Sequence, residues 1–155
     1  MLSSRRSESF THIAAFPSLS VTTLKPPSSL NKFYAFLITD VTDIIEIPEI
    51  TYVPTLPEHI KGIMNHRGKA IPVIDFAIRM NLPKPVYTDR SCVIVVEIGA
   101  HQAGIMVDRV SDVEDITPEM IARSPIENGT VKFFITENKK RISLLDAERL
   151  VREKR

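Results

Sequence analysis

The sequence predicts a mainly β domain, built as an antiparallel barrel or sandwich. Three observations predict it. Short apolar runs rich in β-branched residues recur roughly every 8–12 residues, with turn-forming residues between them. The helical stretches are too short to act as crossovers between parallel strands. The chain has 155 residues, 43% of them hydrophobic and 25% charged. That is about one domain, long enough to bury an unstapled core.

Residues 1–32 have a different texture from the rest, rich in Ser, Thr and Pro. Pro26-Pro27 forbids regular structure and marks a turn or linker. Ile13 to Phe16 and Leu19 to Leu24 are short apolar patches, one of them a candidate edge strand. The domain proper is expected over 33–155, with 1–32 as a variable tail or linker.

Phe33 to Ile38 is apolar and aromatic and reads as a strand. Asp40 to Ile47 is a helical turn or a strand; periodicity does not decide over so few residues. Pro57 to Gly62 reads as one helical turn ended by glycine. Strands follow at Gly62–Asn65 and Lys69–Asp75, around the polar turn Asn65-His66-Arg67-Gly68. Phe76 to Asn81 is a short helix stopped by Leu82-Pro83. Arg90 to Ile98 is the strongest strand, with Val93, Ile94, Val95, Val96 and Ile98 all β-branched. Gly99 to Gln102 is a turn, and Ala103 to Val107 the return strand of that hairpin. The apolar pattern continues from Asp108 to Glu114. Thr117-Pro118 opens a one-turn helix. Val131–Thr136 and Arg141–Asp146 are strands around the charged turn Glu137 to Lys140. Asp146 to Lys154 is a C-terminal helix with Ala147, Leu150 and Val151 on one face.

Several function classes are disfavoured. The formal net charge is +1, which gives no basic footprint for nucleic acid. There is no Trp, and aromatics are 6% of the chain, too few for a base-stacking platform. No segment reaches the ~18 consecutive apolar residues of a membrane span. The N-terminus lacks the apolar core of a secretory signal, so the expected location is the cytoplasm. A single cysteine, Cys92, allows no internal disulfide.

Catalytic and metal chemistry find little support. His12, His59, His66 and His101 show no i, i+4 pairing, and a zinc site needs three or four converging ligands. No glycine-rich phosphate cradle is present. Asp40, Asp43 and Glu46, or Asp108, Asp112 and Asp115, read as solvated carboxylates before they read as acid–base pairs. Cys92 lies in a β-branched run, where a thiol is usually buried and inert. A thiol enzyme using Cys92 is the competing functional class. No cofactor is expected.

What remains is interaction chemistry. Arg67 sits on a tight turn next to Gly68, which permits positive φ. An arginine there either docks a partner carboxylate through its planar fork or braces the loop internally.

The chain resembles the CheW-like domain family, adaptors of bacterial chemotaxis arrays. Two ordered stretches carry the resemblance: Tyr34 to Glu46 followed by Ile50 to Asp75, then Val93 to Gly99 followed by Gly104 to Val113. Asn65-His66-Arg67-Gly68 and Pro72-Val-Ile-Asp75 are similar to the family's Asn-Leu-Arg-Gly loop and Pro-Val-Ile-Asp strand. The resemblance implies two small five-stranded β-barrels sharing a hydrophobic core, with short helices including one at the C-terminus. It implies a non-catalytic adaptor between the cytoplasmic tip of a methyl-accepting chemoreceptor and the regulatory domain of a CheA-type histidine kinase. A scaffold for a non-motility two-component pathway is the variant reading. Carried over by position, Asn65, Arg67, Gly68, Val41 and Cys92 match receptor-facing positions, and Asp43, Gly62 and Gly104 match kinase-facing ones. Three departures stand out. Leu24 to Lys32 replaces the family's first hairpin sequence, His66 replaces an apolar loop residue, and Lys132 to Ile142 replaces a glycine-rich hairpin.

Overall fold

Alternation along the strands builds the interior. In a strand, successive side chains point to opposite faces, so each central strand can line two cores. Tyr34 and Phe36 point one way from their strand, and Ala35 and Leu37 the other. Ile94 and Val96 likewise diverge from Val93 and Val95. These strands are apolar on both faces because both faces are covered.

The computed structural model describes residues 19–24, 32–83, 86–123, 130–137 and 140–152. The Ser-rich start, the Pro26-Pro27 turn and the tip of the charged turn at 138–139 lie outside the described residues.

The strands are β1 (Leu19–Leu24), β2 (Lys32–Leu37), β3 (Val41–Glu46), β4 (Ile60–His66), β5 (Lys69–Asp75), β6 (Cys92–Ile98), β7 (His101–Val107), β8 (Val110–Ile116), β9 (Ile121–Arg123), β10 (Val131–Glu137) and β11 (Lys140–Leu145). They form a six-stranded sheet, in order β8-β1-β2-β11-β10-β9, and a five-stranded sheet, in order β3-β6-β7-β5-β4. The mainly β class, with its short helices, is as expected. The two five-stranded barrels correspond to these two sheets, of six and five strands, neither of them closed. The shared core is present. Tyr34 and Phe36 of the larger sheet pack with Ile74, Ile94, Val96, Ile105 and Val107 of the smaller, and with Leu145 and Leu150. Each sheet has a further core of its own, around Leu37, Ile135 and Leu144 in one and Met64, Val73, Val95 and Met106 in the other.

Pairing is antiparallel with two exceptions. β2 runs parallel to β11, and β5 runs parallel to β7. The expectation of a wholly antiparallel fold missed both, because neither parallel pair is joined by a helical crossover. The chain goes from β5 to β7 through a short helix and β6, and from β2 to β11 through most of the molecule.

β1 lies between β2 and β8, inside the larger sheet and not at its edge. The helical turn expected at Pro57–Gly62 is a tight turn, with the Ile60 amide donating to the Pro57 carbonyl at 3.0 Å. The chain is already in β4 at Ile60, so Gly62 is a strand residue. Asp40 to Ile47 resolves into β3, preceded by a 3₁₀ turn at Ile38–Asp40.

Two short helices, α1 (Phe76–Arg79) and α2 (Ala147–Arg152), pack beside the shared core. Asp75 caps α1, accepting from the Ile78 amide at 3.2 Å. Its other oxygen accepts the Tyr87 hydroxyl at 2.8 Å. Arg79 at the end of α1 donates to the carbonyls of Leu150 and Arg149 in α2, at 3.0 and 3.2 Å. α1 follows the smaller sheet and α2 the larger, so this arginine ties the two halves together.

Candidate interaction site

The turn between β4 and β5 is the shortest a hairpin permits. The ladder ends at the pair His66–Lys69, leaving Arg67 and Gly68 as the two turn residues. Their φ angles are 51° and 83°. Two successive positive φ values make a type I′ turn, whose twist matches that of the flanking strands. Gly68 adopts this conformation freely, whereas Arg67 is held there at a cost of about 1 kcal/mol. Asn65 helps hold it: its side-chain oxygen accepts the Gly68 amide at 3.1 Å. The turn is therefore fixed by its own residues.

β4 alternates, sending Gly62, Met64 and His66 inward and Asn65 outward. Arg67 projects from the tip, and its side chain is 77% exposed. Asp43 on β3 meets it. The Arg67 Nη2 donates to Asp43 Oδ2 at 3.0 Å, and His66 Nε2 lies 3.6 Å from the same oxygen. The second Asp43 oxygen accepts the Ile44 amide at 3.1 Å. β3 and β4 are the two edges of the five-stranded sheet. The sheet thus curls until its edges are joined by side chains where no backbone ladder joins them. Solvent screens so exposed a pair, which limits its contribution to about 1 kcal/mol or less.

A second link between the edges lies lower on β4. Thr51, in the loop leaving β3, pairs with Ile63 through two backbone hydrogen bonds of 2.8 and 2.9 Å. This needs Gly62. Its φ is 151°, and a Cβ there would fall on the Thr51 carbonyl oxygen. Gly104 on β7 leaves space in the same way, since a Cβ would stand 2.7 Å from Val93 Cγ1 and 3.2 Å from Met64 Cε. Both glycines act through the shape of the sheet and not through an exposed contact.

Val41 is partly buried against the shared core, at the start of β3. Cys92 pairs with Glu46 at the far end of that strand, three ladder positions beyond Asp43. Of the residues matched to receptor and kinase positions, the structure brings together Asn65, Arg67, Gly68 and Asp43. Gly62 and Gly104 lie beneath them, and Cys92 lies apart. Burial pushes the Cys92 thiol above its ordinary pKa, partly offset by a hydrogen bond with the Val110 backbone. A thiol shifted that way is less nucleophilic at neutral pH. Sequence reasoning missed the Thr51 bridge and the sharing of Asp43 by His66 and Arg67. A glycine inside the apolar run of β4 was the available signal for the first, and no local signal exists for the second.

Among the described residues no three His, Cys, Asp or Glu side chains gather as a metal site. No described helix is long and apolar enough to cross a membrane. A rigid β frame that presents a fixed cation at the seam of a sheet defines a docking module. The family model for the CheW-like domain matches residues 29–155. The chemotaxis protein CheW of Klebsiella aerogenes is 35% identical over 95 residues, 61% of this chain and 57% of that relative's length. The probable chemotaxis protein CheW of Rhizobium etli is 30% identical over 121 residues, covering 75% of this chain and 78% of its own. The crystal structure of the scaffolding protein TtCheW from Thermoanaerobacter tengcongensis superimposes with a TM-score of 0.80 at 30% identity, covering 88% of this chain and 94% of that one. The chain belongs to the CheW-like domain family, the non-catalytic scaffold proteins of chemotaxis.

Proposed function

We propose that the chain couples the cytoplasmic tip of a methyl-accepting chemoreceptor to the regulatory domain of a CheA-type histidine kinase. The observation that carries this reading is the exposed Arg67 guanidinium on a turn whose backbone is fixed by Gly68 and Asn65. An arginine on a backbone already fixed gives up little backbone freedom on binding, which favours recognition of a partner carboxylate. Asn65, Arg67 and Gly68 form the centre of the receptor face; Val41, at the start of β3, and Cys92, which lies apart from the turn at the start of β6, are assigned to it by their match to the family's positions. Asp43 belongs to the kinase face, with Gly62 and Gly104 shaping the sheet beneath. Because Asp43 touches Arg67, the two faces meet at this pair. The protein works in the cytoplasm and reaches the membrane arrays through its partners. A non-motility pathway would use the same contacts with a different receptor.

Titration of the purified chain with the kinase regulatory domain and with a receptor tip fragment tests the reading. Micromolar dissociation constants are expected, corresponding to about −8 kcal/mol. Failure to bind either partner would overturn it.

A further inference from the structure

His66 is one of the few polar side chains buried in the described structure, 8% exposed. Alternation on β4 turns it inward, beside Met64. Its Nε2 faces Asp43 Oδ2 at 3.6 Å, and that oxygen also accepts from Arg67 at 3.0 Å. One carboxylate oxygen therefore meets two nitrogen groups, one from inside the sheet and one from the surface. The other oxygen is taken up by the Ile44 amide. Around His66 the charged groups are Asp43 from β3 and Arg67 from the turn. Lys69 lies opposite across the β4–β5 ladder and is exposed. On the inner face of the sheet Met64, Ile71 and Val95 are buried together in one apolar cluster.

Two nitrogen groups that compete for one carboxylate oxygen each hold it less firmly than one would alone. We propose that His66 is a specificity-determining residue. By drawing on Asp43 from within, it loosens the hold of Asp43 on Arg67 and leaves the guanidinium available to a carboxylate on the partner. An apolar residue at 66 would leave Arg67 alone on that oxygen and bind it to its own protein. The inference rests on the docking reading above, with Arg67 as the contact residue.

Two measurements test it. Denaturant melts of a double-mutant cycle give the Asp43–Arg67 coupling, once with His66 in place and once with His66→Leu. Titrations with a chemoreceptor tip fragment compare the parent, Arg67→Ala, His66→Leu and His66→Gln. In the His66→Leu background the coupling, as an equilibrium ratio, is expected to rise about threefold, within the range of exposed ion pairs. Receptor affinity should fall about threefold, and His66→Gln, which keeps a donor, should recover most of it. A coupling that stays level or falls with His66→Leu overturns the proposal. So does receptor affinity indifferent to His66→Leu while Arg67→Ala weakens it. Unaltered binding by Arg67→Ala overturns the docking reading, and this proposal with it.

Discussion

Asp43 and Arg67 stand 24 residues apart in the chain and meet at 3.0 Å, joining the two edge strands of one sheet. The pair is both a brace and a surface. Its exposure decides which role dominates, since solvent takes most of the energy out of an ion pair whose arginine is 77% exposed.

Arg67→Ala is therefore expected to shift the melting temperature little, by the equivalent of about 1 kcal/mol or less. Receptor affinity should drop roughly tenfold, the usual cost of truncating an interface anchor. Arg67→Lys should recover part of it, lacking the planar fork. Arg67→Gly separates the roles further: it relieves the positive φ of 51° while removing the contact. A melt and a receptor titration on each variant check this, and a large fall in melting temperature for Arg67→Ala would make the residue a brace.

Gly62→Ala should be costly although it adds one methyl group. The new Cβ collides with the Thr51 carbonyl at a φ that side chains avoid. Left-handed strain and lost hydrogen bonds together amount to about 2–4 kcal/mol. Amide exchange at Thr51 and Ile63 should accelerate. Protection there equal to the parent's would show that the bridge tolerates a side chain.

Gly104→Ala should destabilise by about 1–3 kcal/mol through overpacking. Its Cβ would stand 2.7 Å from Val93 and 3.2 Å from Met64. Val93→Ala should therefore rescue it in part, giving a non-additive double mutant in thermal melts. Simple additivity would place the strain elsewhere.

Tyr87→Phe removes the hydroxyl from Asp75, whose carboxylate is fully buried. Leaving that oxygen unmatched should cost about 1–3 kcal/mol. The Tyr87 hydroxyl is itself pushed well above its ordinary pKa, by burial first and then by Asp75 and Asp108. The folded state thus keeps a proton that the unfolded chain releases. The stability this group contributes is whole below about pH 10 and is lost as pH rises past that value. Alkaline denaturation of the parent and of Tyr87→Phe should differ in slope there, and identical slopes would remove Tyr87 from the account.

Much of the frame was legible before any coordinates. β6 declares itself because Val93 to Val96 suit only a strand covered on both faces. The turn declares itself because Gly68 stands between two apolar runs. Arg67 could be singled out, but not its partner, because Asp43 reaches it only after the sheet curls. Gly62 reads locally both as the end of a helical turn and as the start of a strand, because the group that forbids a side chain there is a carbonyl on Thr51, in a different loop. Leu19 to Leu24 is no more than one of two candidate edge strands by its own residues, which say nothing about β8, the strand that covers it. The parallel pairs were invisible for the same reason, since local patterns carry no information about which distant strand lies alongside.

The five-stranded sheet is made from one unbroken stretch, β3 to β7, residues 41–107. The six-stranded sheet is sewn from what lies on either side, with β2 beside β11. As the chain leaves the ribosome, the sheet carrying Asp43 and Arg67 has all its strands before the larger one has acquired β8 to β11. Loop-closure entropy delays the distant pairing further. The sheet that carries Asp43 and Arg67 is thus the early-maturing half of the molecule, and the larger sheet waits for β11 to reach β2.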